Sequence, residues 1–196
     1  MSILIPELLE EKVLGKNDFG KALLERTYKH PKTGKPYGYG IFDYKGGTVR
    51  PSIFLPLTAN RNVIAIRQFR EGAGEEILEL PGGNPKKGQT AEDVVRNELR
   101  EETGYKAGAI INLAPKKPIY IEPATFPTPM HPFLVTGCVK AGEQALDKTE
   151  NIEVEIIPLH EWIAMCLDGR IVCGKSLAIT FLALPYLGLK IAHYYS

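Results

Sequence analysis

Between Thr90 and Gly104 the chain reads TAEDVVRNELREETG, and this stretch constrains what the rest can be. Thr90 suits a helix N-cap, Asp93 stands three residues on in the place of a capping-box acid, and Gly104 suits a left-handed C-terminal cap. The pattern predicts a helix from Ala91 to about Thr103. At about 100° per residue, with Ala91 at zero, Val94, Val95 and Leu99 fall at about 300°, 40° and 80° and mark the face toward the core. Glu98, Glu101 and Glu102 fall at about 340°, 280° and 20°, on that same face, while Glu92, Asp93, Arg96, Asn97 and Arg100 fill the outward side. A glutamate-rich helix that is only a wet surface turns its acids outward. Like charges at i and i+4 cost only ~0.2–0.5 kcal/mol in water, but their repulsion and desolvation grow steeply toward a low-dielectric interior. A positive partner is required. Carboxylates at i, i+3 and i+4 form the hard oxygen set that holds Mg2+ or Mn2+ while leaving positions open for water and phosphate.

The remaining composition narrows the class. At 196 residues the chain is long enough for a sizeable core plus a small appendage, read as an N-terminal β-rich extension over residues 1–50 and a main domain over 51–196. The 24 Lys+Arg nearly balance the 23 Asp+Glu, and no long basic run offsets them, which argues against nucleic acid or an anionic membrane as partner. Cys138, Cys166 and Cys173 are odd in number and lack a C-x-x-C spacing, so they encode neither a disulfide framework nor a zinc site and fit a reducing compartment. The apolar run in MSILIPELLEEKV is too short for a signal peptide, and nowhere do ~18 apolar residues run on, so the expected location is cytoplasmic.

Along the chain, Lys21 to Lys29 and Tyr37 to Tyr44 flank the turn sequence PKTGKP and read as a hairpin. Ser52 to Leu57 and Val63 to Phe69 form a second pair across TANRN, and VIAIRQF is apolar enough to be buried on both faces. Ile77 to Leu80 is a short strand stopped by Pro81, Gly82 and Gly83. Further strands are expected at Ala109 to Leu113, Ile119 to Ile121, Phe133 to Cys138 and Ile152 to Pro158, and helices at Leu159 to Leu167 and Ser176 to Leu184. The order implies mixed α/β, with helices packed on a largely non-parallel sheet.

Gly83, Glu98-Leu99, Glu101-Glu102 and Gly104-Tyr105 together resemble the signature of the Nudix hydrolases, G-x5-E-x7-R-E-U-x-E-E-x-G-U with U apolar. RQFR at Arg67 to Arg70, ELPGG at Glu79 to Gly83, and ENIEVEIIPLHEW followed by DGRI resemble the ADP-ribose pyrophosphatase branch of that family. The resemblance implies a Nudix α/β/α sandwich with a mixed sheet. It also implies metal-dependent hydrolysis of the diphosphate linkage of ADP-ribose or a related nucleoside diphosphate sugar, giving a nucleoside monophosphate and a sugar phosphate. By the same resemblance Glu98 and Glu102 are the principal ligands of Mg2+ or Mn2+, Glu101 is a further ligand or orients water, and the Gly82 carbonyl is a ligand from the turn. Arg67 and Arg70, Arg70 foremost, are placed to meet phosphate oxygens; a structural ion pair is the other use of each. A late loop, GEQALDKTEN, offers Glu143, Asp147 and Glu150 as a catalytic base or ligand, and Glu150 sits best in the resemblance. A homodimer through the N-terminal region is implied as well, with Tyr28, Tyr37, Tyr39, Phe42 and Tyr44 available to stack on a base or pack a partner. The proline-dense loop from Glu122 to Pro132 is expected to border the substrate pocket or to act as a rigid connector.

Two signature positions depart from the pattern: Gln89 stands for a glutamate and Asn97 for the arginine. The resemblance implies that the usual ion pair helps orient the metal-binding glutamates, and two neutral amides in its place are expected to keep a hydrogen-bonded contact. Two alternatives accompany the hydrolase reading. One is a Nudix-fold nucleotide-binding module with weakened catalysis, the other a pyrophosphatase that clears nucleoside triphosphates. The RQFR and ELPGG flanks favour the sugar-linked branch over the latter.

Overall fold

The computed structural model describes residues 3–44, 46 and 48–189. They form two units, one of the described residues up to 50 with residues 120–129 and one of residues 51–119 with 130–189. In the first, strands β1 (Glu7–Lys16), β2 (Lys21–Lys29) and β3 (Pro36–Tyr44) make an antiparallel sheet in that order. The β2–β3 hairpin matches the sequence pattern. Strand β1 was not expected: register shifts at Leu8/Glu10 and Val13/Gly15 break the period-two alternation that would have announced it. Leu24 and Ile41 face each other across the hairpin and are buried, whereas Tyr37, Tyr39 and Phe42 are exposed. Residues 120–129, most of the proline-dense segment, belong to this unit, where the Phe42 amide donates to the Thr125 carbonyl at 2.8 Å.

The second unit comprises β4 (Ser52–Thr58), β5 (Asn62–Arg70), β6 (Glu75–Glu79), β7 (Gly82–Gly83), α1 (Ala91–Thr103), β8 (Tyr105–Lys106), β9 (Ala109–Asn112), β10 (His131–Lys140), β11 (Ile152–Pro158), α2 (Leu159–Leu167) and α3 (Gly174–Ala183). The sheet runs β11-β5-β4-β10-β8, with β6 on β5, β7 on β4 and β9 on β10. Strands β4 and β10 are parallel and every other pair is antiparallel. Alternation along the central strands feeds two apolar layers. Leu55, Leu57, Val63, Ala65 and Leu134 pack with Trp162 and Ile163 of α2 and with Ile179 and Ala183 of α3. Phe54, Ile64, Phe133 and Val135 pack with Val95 and Leu99 of α1. Helices therefore cover both faces of one mixed sheet, the α/β/α sandwich expected.

Three differences matter for the site. Pro81 does not end the sheet, because Gly82 and Gly83 pair with Ile53 and Ser52. Of the strand expected at Ile119 to Ile121, only a bridge between Ile119 and Met130 forms. Helix α3 starts at Gly174 rather than Ser176. Among the described residues no helix is long and apolar enough to cross a membrane.

Candidate active site

Helix α1 is fixed at both ends by the residues its sequence announces. The Thr90 hydroxyl accepts from the Asp93 amide at 3.1 Å, and the Asp93 carboxylate accepts from the Thr90 amide at 2.9 Å. Gly104 closes the helix at φ 74°, its amide donating to the Arg100 carbonyl. The Ser52 hydroxyl donates to the Ala91 carbonyl at 2.9 Å and ties the first turn to β4. With Val95 and Leu99 buried, the helix cannot roll, and its last two turns face β7.

Glu102 is 4% exposed, and its carboxylate accepts from the Gly82 amide at 3.0 Å. Burial first, and then the charge of Glu98, pushes its carboxyl up to about 8. Glu98 is half-buried against Gly83: a Cβ at that glycine would lie 2.1 Å from the Glu98 Oε1. Burial, then the charges of Glu101 and Glu150, raise Glu98 to about 7. Glu101 is half-buried and pairs with Lys86 at 3.5 Å. The two-residue strand β7 thus cradles both carboxylates, Gly82 by its amide and Gly83 by having no side chain. Replacing Gly83 with alanine should turn the Glu98 carboxylate out of this cradle. A Mn2+ titration followed by electron paramagnetic resonance should then show affinity weakened about tenfold or more; unchanged affinity would mean that the cradle does not set the ligand.

Among the described residues no three His, Cys, Asp or Glu side chains are drawn close enough to hold an ion by themselves. That is compatible with Mg2+, which keeps several waters and takes one or two carboxylates from the protein. Two adjoining carboxylates, raised because burial and like charge outweigh the nearby Lys86 and Arg70, have the donor chemistry of such a site.

The late loop adds further negative charge. The negative charge of Glu150 raises both Glu98 and Glu102, and that of Asp147 raises Glu98. Within the loop the Asp147 amide donates to the Glu150 carboxylate at 2.9 Å, and the Glu150 amide donates to the Asp147 carbonyl at 3.0 Å. Glu143 is exposed.

Both arginines are engaged in ion pairs. Arg67 meets Glu155 of β11 at 2.6 Å, both side chains about a third exposed. Arg70 pairs with Glu79, which is 2% exposed and also accepts from the Gln68 amide at 3.2 Å and the Cys173 thiol at 3.1 Å. The Arg70 guanidinium remains near enough to lower the Glu102 carboxyl, so it sits at the edge of the cluster as well as in a pair.

The contact expected between Gln89 and Asn97 is not made. The Gln89 side-chain carbonyl accepts from the Lys86 amide at 2.7 Å, and Asn97 is exposed. Gln89 stands just before the N-cap and Asn97 lies two turns on, facing outward, so the local turn captures the amide first. Sequence patterning did not find Lys86, Glu79 or Gln144 either. Lys86 and Glu79 meet their partners only through the fold, and Gln144 sits in a loop with no periodicity to give it a direction.

Comparison with known proteins matches residues 48–170 to the NUDIX domain. An ADP-ribose pyrophosphatase of Bacillus subtilis is 30% identical over 93% of this chain and 95% of its own length. A GDP-mannose pyrophosphatase of Pectobacterium atrosepticum is 32% identical over 71% of this chain and 81% of its own. A crystal structure of an ADP compounds hydrolase superposes with a TM-score of 0.81 at 17% identity, covering 96% of this chain and 97% of that one, a likeness of fold.

Proposed function

The chain belongs to the Nudix hydrolase family, and from that premise we propose that it hydrolyses the diphosphate linkage of ADP-ribose or a related nucleoside diphosphate sugar. The products are a nucleoside monophosphate and a sugar phosphate. The observation that carries this reading is the pair of raised, adjoining carboxylates of Glu98 and Glu102 cradled by Gly82 and Gly83. The choice of substrate class rests on relatives named for ADP-ribose and GDP-mannose, one matched along nearly the whole chain.

Nudix hydrolases generally use a divalent metal. Here Glu98 and Glu102, joined by Glu101 and, as the family resemblance implies, by the Gly82 carbonyl, would hold Mg2+ or Mn2+. When bound, the ion screens the diphosphate charge and increases the acidity of water. The Gly82 amide holds one Glu102 oxygen in place. Arg70, at the cluster's edge, offers positive charge to a phosphate oxygen. Glu150, whose charge reaches the same carboxylates from the loop, is assigned as the base that takes the proton as water oxygen bonds to phosphorus and the bridging P–O bond breaks.

Incubation of the protein with ADP-ribose and Mg2+ should yield AMP and ribose 5-phosphate, and chelation of the ion should stop the reaction. Survival of ADP-ribose, GDP-mannose and other nucleoside diphosphate sugars would sink the reading. Conversion of nucleoside triphosphates in their place would select the triphosphate alternative. The binding-module alternative predicts saturable nucleotide binding without turnover.

The N-terminal sheet supports a homodimer: Ile3, Ile5, Val13, Leu14 and Phe19 are exposed apolar residues in or beside β1 and its turn, an arrangement that a second copy would cover. Light scattering at the mass of one chain would count against it. Three free cysteines, two of them buried, fit a reducing cytoplasm.

A further inference from the structure

An α-helix leaves its last four carbonyls without intrahelical donors, and in α1 those carbonyls lie beside Glu101 and Glu102. The Arg100 carbonyl is taken by the Gly104 amide. The carbonyls that follow are supplied from residues 140–145. Glu101 accepts from the Ala145 amide at 2.8 Å, Thr103 from the Lys140 ammonium at 3.0 Å, and Gly104 from the Ala141 amide at 2.9 Å. The Glu102 carbonyl accepts from the side-chain amide of Gln144 at 2.6 Å. The approach is close enough to require glycine at Gly104, where a Cβ would lie 2.3 Å from the Gly142 carbonyl oxygen.

Gln144 differs from the other donors because it reaches both ways. Its Nε2 also donates to the Ile152 carbonyl at 3.0 Å, at the first residue of β11 and two residues beyond Glu150. One amide group therefore closes residues 145–151 into a ring and pins that ring to the backbone of Glu102. Glu150 and its partner Asp147 lie inside the ring.

We propose that Gln144 is a positioning residue that sets the distance between the helix bearing Glu98 and Glu102 and the loop bearing Glu150, through paired hydrogen bonds to the Glu102 and Ile152 carbonyls. The inference rests on the hydrolase reading for its catalytic consequence and on the hydrogen bonds alone for the tether. An amide is required, since each bond needs an N–H pointed at a carbonyl. The isosteric glutamate would place a carboxylate against two carbonyl oxygens at the negative end of the helix dipole.

The test uses Gln144→Ala and Gln144→Glu in the full chain, each alone and combined with Glu150→Gln. With ADP-ribose and Mg2+, either Gln144 substitution should lower kcat about 10–100-fold with KM changed less than about threefold. In the Glu150→Gln background the same substitution should change kcat by less than about twofold, because residues acting as a unit are not additive. A single-variant kcat within about twofold of the unmutated enzyme, or a full further loss on top of Glu150→Gln, would overturn the positioning role. Amide hydrogen exchange reads the tether without activity: the Ala145 and Glu150 amides should exchange about tenfold faster in Gln144→Ala, and unchanged exchange would overturn it. If the unmutated protein hydrolyses no nucleoside diphosphate sugar, the hydrolase reading falls and takes the catalytic role with it. The exchange result then still decides the tether.

Discussion

Changing Glu102 to glutamine should abolish hydrolysis and stabilise the metal-free protein together. For activity, disturbing groups that merely orient a metal ligand costs about 10–100-fold, so loss of a ligand itself should exceed about a hundredfold in kcat/KM. For stability, the sign follows from protonation. The carboxyls of Glu98 and Glu102 are raised from an ordinary value of 4.5 to about 7 and about 8. Below pH 4.5 both are protonated in the folded and the unfolded chain, and neither affects stability. As pH rises from 4.5 through 8 the unfolded chain ionises first, so the metal-free fold loses stability across that window. A glutamine at position 102 cannot ionise and keeps the shape of the side chain. The melting temperature of Glu102→Gln without metal should therefore lie above that of the unmutated protein at pH 8, and the two should converge near pH 4.5. Stability exchanged for function in this way is common at active sites. Full turnover by the variant, or an equal pH slope in the two proteins, would refute the assignment.

Arg70→Ala should be the most destabilising of the single changes considered at the site's edge. Glu79 is 2% exposed, and Arg70 is the only cation paired with it among the described residues. Stranding one charge of a buried pair costs about 3–5 kcal/mol. The Arg70 side chain is 40% exposed, and Gln68 and Cys173 still donate to Glu79, so about 2–3 kcal/mol is expected. Arg67→Ala breaks a pair exposed by about a third on both sides and should cost less than about 1 kcal/mol. Urea unfolding measures both. Adding Glu79→Gln to Arg70→Ala should recover most of the loss, because the stranded charge is then gone. A stable Arg70→Ala protein that fails only in turnover would make the arginine a substrate contact alone.

What the sequence announced and what it withheld divide along local and non-local physics. Helix α1 was legible at both ends, since Thr90, Asp93 and Gly104 set them through neighbours in the chain. The inward glutamates followed from one angular period, and the double burial of β5 from an unbroken apolar run. Strands β7 and β8 are too short to carry a pattern, and β1 hides behind two register shifts. Yet β7 cradles the glutamates, so the part of the site hardest to read was the part that shapes it. The substitution of Gln89 and Asn97 was visible as a departure, but the partner of Gln89 was decided by the turn at Lys86 rather than by the helix opposite. Arg70 was placed near the site, while its pairing with Glu79 depends on β5 and β6 lying side by side.

We propose that the inward glutamates of α1 are a divalent-metal platform. Its most direct test is Mn2+ binding at pH 8, followed by electron paramagnetic resonance, in the unmutated protein and in Glu98→Gln and Glu102→Gln. Saturable binding that either substitution weakens by more than about a hundredfold, beyond the range of merely orienting groups, is the expected result. Binding that is absent from the unmutated protein, or that survives both substitutions unchanged, would contradict it.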